Sequence, residues 1–223
     1  MANINVAIDG PAGAGKSSIA KRVSKDLGYI YIDTGALYRA IAYYVYRNGV
    51  KDFSANGVVS LLDTINMELK HSIEGVQRVY INGQDVSDYI RTPIVSSGAS
   101  KVSAIPEVRS FLLDLQRNIA KSNDVIMDGR DIGTVVLPNA NLKIYLTATA
   151  EERANRRYKQ LLNSKECPTY AEILNDINVR DYNDMHRDIA PLKVPEDAIK
   201  LDTTNLTENQ VVLQIESLIQ NIY

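Results

Sequence analysis

The chain is short of the residues from which several familiar functions are built. It has one cysteine, Cys167, in 223 residues, which excludes an internal disulfide and a cysteine-based zinc cluster and fits a reducing compartment. Its two histidines, His71 and His186, stand too far apart in sequence to suggest a metal pair, and each reads as a surface or packing residue. Neither sign of charge is in excess, with 25 Lys and Arg against 27 Asp and Glu. That balance argues against a general nucleic-acid or membrane-surface binder, so any anion site must be local. No apolar run approaches the roughly 18 residues of a membrane span. Met1 leads within three residues into a core strand, which leaves no room for a charged and apolar leader. A cytoplasmic protein with no membrane or nucleic-acid partner is expected.

What is present is concentrated in Asp9-Gly10-Pro11-Ala12-Gly13-Ala14-Gly15-Lys16-Ser17-Ser18. This stretch matches the phosphate-loop pattern G-x-x-x-x-G-K-[ST], between a strand predicted over Ile4 to Asp9 and a helix predicted over Ser17 to Leu27. Backbone N–H groups at a helix N-terminus can meet phosphates only where no side chain blocks the approach, and Gly10, Gly13 and Gly15 remove those side chains. Lys16 would then reach the β and γ phosphates, and the Ser17 hydroxyl would help hold Mg²⁺.

Further apolar strands are predicted at Tyr29 to Ile32, Val125 to Met127, Leu142 to Leu146 and Ala198 to Leu201, separated by helical stretches. The helices are predicted over Ala36 to Arg47, Ile94 to Ser103, Pro106 to Lys121 and Glu151 to Leu162. Thr169-x-x-Glu172 and Thr207-x-x-Gln210 read as capping boxes opening the last two. From about Asp63 the period becomes two: Ile65, Met67 and Leu69 alternate, Val76 to Ile81 follows, and Asn82-Gly83 is a hairpin turn. About 30 residues of antiparallel sheet are thus inserted into an α/β chain. Asn163 to Pro168 is a polar break. The whole predicts a doubly wound, five-stranded parallel sheet with helices on both faces, whose ligands bind at the carboxyl ends of the strands.

Polar clusters follow every core strand except the last. In Asp33-Thr34-Gly35 with Arg39, Thr34 could cap a helix and Arg39 could face a second anion, although a cap and a solvated arginine would need no function. Asp128-Gly129-Arg130-Asp131 offers a strand-end acid like the Mg²⁺-linked Asp of phosphate-loop enzymes, followed by a guanidinium suited to phosphate. The alternative there is a turn with an internal Arg130–Asp131 pair. Arg153, Arg156 and Arg157 share one helix face, and Arg180, Asp184 and Arg187 fall at i, i+4 and i+7. Such runs are either solvated faces or an arginine lid over transferring phosphate.

With these residues in hand, the chain resembles the nucleoside monophosphate kinases, and most closely the bacterial cytidylate kinases. The carriers are Asp9 to Ser17, Asp33 to Arg39, Asp128 to Val136, and Arg180 to Arg187 followed by Ala190-Pro191-Leu192; the inserted sheet is also similar. The resemblance implies a phosphate-loop NTPase fold with a helical lid, and transfer of the γ-phosphoryl group of ATP to CMP or dCMP with Mg²⁺, in pyrimidine nucleotide metabolism. It implies a core of residues 1–35, 104–150 and 188–223, a monophosphate-binding region over 36–103 and a lid over 151–187. By the same resemblance Gly10, Pro11, Ala12, Gly13, Ala14, Gly15, Lys16, Ser17 and Ser18 hold ATP, with Ser17 on the metal and Asp128 beside it. Arg39, Arg130 and Arg187 hold the acceptor phosphate; Ser100, Arg109 and Asp131 read the cytosine edge, with Thr34 near the nucleotide. Arg180 and Asp184 contact the ribose, and Arg153, Arg156 and Arg157 form the lid, Arg156 on the ATP side. Lys16, Asp128, Arg130, Arg153, Arg157 and Arg187 are the expected catalytic set. A monomer suffices for lid closure. The competing readings are a kinase of this architecture acting on AMP, UMP, dTMP or shikimate, and a nucleotide-dependent switch without a soluble acceptor.

Overall fold

The computed structural model describes residues 3–72, 75–162 and 168–222. In chain order it contains β1 (Asn5–Asp9), α1 (Lys16–Leu27), β2 (Ile30–Asp33), α2 (Thr34–Arg47), α3 (Ala55–Leu62), β3 (Met67–His71), β4 (Gln77–Ile81) and β5 (Gln84–Asp85). There follow α4 (Pro93–Val102), α5 (Pro106–Ser122), β6 (Val125–Gly129), a π-helical turn (Ile132–Val136), β7 (Leu142–Thr147), α6 (Ala150–Leu161), α7 (Tyr170–His186), β8 (Ile199–Asp202) and α8 (Glu208–Gln220).

Five strands form one parallel sheet in the order β2-β6-β1-β7-β8. Strand β1 lies at its centre, and Val6, Ala7 and Ile8 are wholly buried because helices cover both faces. One face packs Val6, Ile8, Ile126 and Ile144 against Ile19 and Val23 of α1 and Val212 and Ile215 of α8. The other packs Ala7, Ile32 and Met127 under Ala120 of α5 and under Ile132 and Val136. Each fully buried aliphatic side chain stabilises the fold by about 1.5–3 kcal/mol relative to exposure. Helix α1 stops at Gly28, which takes φ 73° and returns its N–H to the Ser24 carbonyl. Both capping boxes form, at Thr169/Glu172 and Thr207/Gln210.

The second sheet is antiparallel, ordered β3-β4-β5, and turns at Asn82-Gly83, both with positive φ. Val79 and Ile81 join an apolar cluster with Leu37 and Ile41 of α2 and with Val58 and Leu62 of α3. Helix α3 lies between the expected helix and the expected insert, where no element was predicted; its eight residues carry little polar periodicity, and packing of Val58 and Leu62 holds it. The π-helical turn was likewise unanticipated. The expected polar break from Asn163 falls, but for Pro168, on residues outside the described ones, as does Cys167.

Candidate active site

The phosphate loop joins β1 to α1, where Gly15 takes φ 89° and leaves the first N–H groups of α1 without a side-chain cap. Gly10 is required for another reason than access to phosphate: at φ 149°, a Cβ there would lie 1.9 Å from the Leu146 carbonyl oxygen of neighbouring β7. Lys16 is buried and donates to the Pro11 carbonyl at 2.7 Å. Burial, and then Arg130, hold its ammonium pKa well below the usual lysine range.

Opposite the loop, β6 extends through Asp128, so this carboxylate is fixed by the sheet rather than by a turn. Ser17 Oγ donates to one of its oxygens at 2.8 Å and the Tyr31 hydroxyl to the other at 2.9 Å. Burial, and then the nearby Asp33, push Asp128 up to about 6. Burial and Asp128 itself raise the Tyr31 phenol, which keeps it a donor. Asp9 accepts the N–H groups of Ile132 and Gly133 at 2.8 and 2.7 Å, tying the end of β1 to the π-helical turn, while burial raises its pKa to about 6.

The arginines find partners that sequence spacing did not specify. The internal Arg130–Asp131 pair is not formed: Arg130 bonds Asp184 at 2.7 Å, while Asp131 pairs with Arg109 and lies 3.7 Å from Arg187. Asp131 is buried, which raises its pKa against the opposing pull of Arg109 and Arg187. Thr34 does not cap α2. That cap is Asp33, whose carboxylate accepts the Ala36 N–H at 2.9 Å and pairs with Arg39 at 2.8 Å. Thr34 instead donates to the Asp128 carbonyl. An Asp directly before the helical pattern was the available signal for that cap.

The three arginines of α6 line the same cavity but differ in their partners. Arg153 is buried, bonded to the Ala12 and Ala148 carbonyls and paired at 2.6 Å with Asp181, which in turn accepts the Ala12 N–H. Arg156 bonds Glu152 and the hydroxyl and carbonyl of Thr203. The last strand, expected to lack a polar end, therefore supplies one through Thr203. Arg157 is exposed and bonds Gln160. His71 bonds the Tyr31 carbonyl and His186 stacks on Tyr182, consistent with packing roles.

All the predicted site residues except Gly10 and Pro11 line one cavity of about 520 Å³, within the size range of small-molecule sites. Tyr38, inside the Asp33 to Arg39 stretch, also lines it, as do Arg91, Ser96, Ser103 and Gln160, which had no sequence signal, being single residues on helices or loops. Nine arginines and Lys16 face four aspartates there, in a chain of net charge −2. Such a cavity attracts anions. With that loop after the central strand of a doubly wound sheet, the class is that of the phosphate-loop kinases, ATP-dependent transferases.

The family model described as cytidylate kinase matches residues 6–221. A cytidylate kinase from Caldicellulosiruptor saccharolyticus is 50% identical over 222 residues, covering 100% of this chain and 98% of that protein. One from Lactobacillus gasseri is 49% identical over 217 residues, covering 97% and 94%. Among solved structures, an uncharacterised protein from Eubacterium ventriosum superposes with a TM-score of 0.55 at 13% identity over 98% of this chain and 99% of that one, a likeness of fold alone. The chain belongs to the cytidylate kinase family. Among its described residues no helix is long and apolar enough to cross a membrane.

Proposed function

We propose that this chain transfers the γ-phosphoryl group of ATP to CMP or dCMP, giving ADP and CDP or dCDP, as a cytoplasmic monomer. The observation that carries this reading is that the phosphate loop and the Arg109–Asp131–Arg187 cluster line the same cavity. The backbone N–H groups of Ala12 to Ser18 and Lys16 would hold the triphosphate, with Lys16 leaving the Pro11 carbonyl for the β and γ phosphates. Arg39, Arg130 and Arg187 would hold the acceptor phosphate. Among the described residues the buried Nε of Arg39 has no hydrogen-bond partner, a donor that a phosphate oxygen would meet. Arg180 and Asp184 would sit at the ribose.

Ser100, Arg109 and Asp131 would read the base, with Thr34 beside them. A carboxylate accepts from the cytosine amino group, whereas uracil would present it with a second acceptor. Arg153 would brace the loop through Ala12, and Arg156 and Arg157 would face the transferring phosphate as the region 151–187 closes over the core of 1–35, 104–150 and 188–223, with 36–103 carrying the acceptor side. Positioning and charge neutralisation dominate this chemistry, and one well-placed arginine can contribute about 10³–10⁵ in rate.

Mg²⁺ fits the residues present. Among the described residues no group of three or more His, Cys, Asp or Glu could hold a metal alone. A hydroxyl beside one carboxylate whose charge is disfavoured by burial is the donor set of an ion that keeps water and phosphate oxygens as its other ligands. Ser17 would ligate it and Asp128 would orient that ligand; when bound, the ion neutralises charge on the β and γ phosphates. The test is ADP release from Mg-ATP with CMP, dCMP, UMP, AMP, dTMP and shikimate as acceptors. Turnover confined to CMP and dCMP supports the reading. Turnover with another acceptor overturns the base-reading assignments, and none with any acceptor favours a nucleotide switch.

A further inference from the structure

Strand β2 is an edge of the parallel sheet, so one side of its backbone has no strand neighbour. Side chains of the inserted sheet occupy that side. The Asp33 N–H donates to Gln77 Oε1 at 2.7 Å, and Gln77 Nε2 donates to the Asp33 carbonyl at 3.2 Å. The side-chain amide of Gln77 thus supplies the donor and acceptor that a peptide group of a further strand would supply. His71, the cross-strand partner of Gln77 in the β3–β4 ladder, bonds the Tyr31 carbonyl two residues earlier at 2.9 Å. One end of the inserted hairpin therefore grips the edge strand at two successive outward-facing residues.

The residue gripped by Gln77 is functionally placed. The Asp33 carboxylate caps α2 through the Ala36 N–H and holds Arg39 at 2.8 Å, and Arg39 lines the cavity with a buried Nε that has no partner among the described residues. Adding any Cβ at Gly35 would bring it to 3.0 Å from an Arg39 nitrogen and 3.1 Å from an Asp33 oxygen, so little slack exists around this pair. Backbone displacement at Asp33 moves its carboxylate, and the guanidinium moves with it. Gln77 does not line the cavity, and it is half-buried rather than part of the apolar cluster that seats the insert on α2.

We propose that Gln77 is a positioning residue for the acceptor phosphate: by pairing with the Asp33 backbone it lets the inserted sheet set where Arg39 stands. The proposal rests on the reading of Arg39 as an acceptor-phosphate ligand. It predicts that the insert influences acceptor binding through a polar link separate from its apolar packing.

The test is a double-mutant cycle on the full chain, reading CMP dissociation constants by calorimetry together with kcat and the KM values for CMP and ATP. Gln77→Leu keeps bulk and removes both hydrogen bonds. Since Arg39 would bind the phosphate in ground and transition states alike, CMP affinity should weaken roughly three- to tenfold, with kcat and the ATP KM within about twofold. In an Arg39→Ala background the same substitution should change CMP affinity less than twofold. Gln77→Leu weakening CMP equally with and without Arg39 would overturn the proposal, as would an unchanged CMP affinity in the single variant. A fall in kcat with both KM values unchanged would mark a general structural role and also overturn it. If Arg39→Ala itself leaves CMP binding intact, the acceptor reading of Arg39 fails instead, and with it the premise.

Discussion

Replacing Asp131 by Asn tests the base-reading cluster most directly. The side chains of Arg109, Asp131 and Arg187 are 9–10% exposed for the two arginines and 6% for the aspartate, so neither guanidinium has ready access to water in place of its carboxylate. Breaking a buried ion pair on one side typically costs about 3–5 kcal/mol, because the remaining charge is left uncompensated. Asn preserves shape and one acceptor, and Arg187 keeps its bonds to the Ala190 carbonyl, so the loss should lie near the lower end. For a chain of this length about 3 kcal/mol corresponds to a fall in Tm of roughly 6–12 °C. The variant should also lose its preference for CMP over UMP, since the amide can donate to the uracil oxygen that a carboxylate repels; a site that leaves a buried polar group unpaired rejects the wrong substrate by up to about 10⁴. Thermal unfolding and paired kcat/KM values for the two acceptors measure both effects. A Tm within a degree of the parent would refute the buried-pair argument, and undiminished selectivity would refute the assignment of Asp131 as reader.

Other perturbations separate the elements of the site. Lys16→Ala should abolish transfer while leaving the fold at least as stable, because a buried ammonium whose pKa is pushed down opposes folding; an active, well-folded variant would sink the account of the loop. Gly10→Ala should be far more damaging to stability than Gly15→Ala, since only the former drives a Cβ against the Leu146 carbonyl, and equal Tm values for the pair would contradict the packing. Arg153→Ala should cost about 3–5 kcal/mol by stranding Asp181 and freeing Ala12, visible as a lower Tm together with a raised ATP KM. For Asp128, the folded pKa of about 6 stands above the ordinary value of 3.8. Its contribution to stability is therefore full below about pH 4 and lost as pH rises to about 6. Asp128→Asn should thus be inactive yet unfold at a higher temperature than the parent at pH 8, with the gap closing towards pH 4; a lower Tm at pH 8 would reverse the sign of the argument.

The phosphate loop, the five core strands, the inserted hairpin and both capping boxes were legible in the sequence because each is a local pattern: ten contiguous residues at Asp9 to Ser18, period-two or wholly apolar runs, a Thr three residues before Glu or Gln. Much of the candidate site was legible too, for Asp33, Asp128, Arg130 and the arginines of α6 and α7 follow strand ends or share helix faces, whereas Ser100 and Arg109 came only with the family resemblance and Arg91 had no signal. Partner choice was not. Nine arginines face one cavity, and any of them could in principle pair with any aspartate there. Which one does was decided by how the strands order and the helices α5, α6 and α7 pack around them, since a local sequence pattern does not say which distant segments become neighbours. That packing sets Arg130 beside Asp184 of α7, 54 residues away, instead of its chain neighbour Asp131. The same holds for Gly10, whose requirement comes from the Leu146 carbonyl of the adjoining strand, and for Gln77, which reads as one more polar residue of a hairpin until the hairpin is seated on an unpaired sheet edge. Local chemistry is written in contiguous residues, and long-range pairing is fixed only when packing of the two core faces brings distant segments into register.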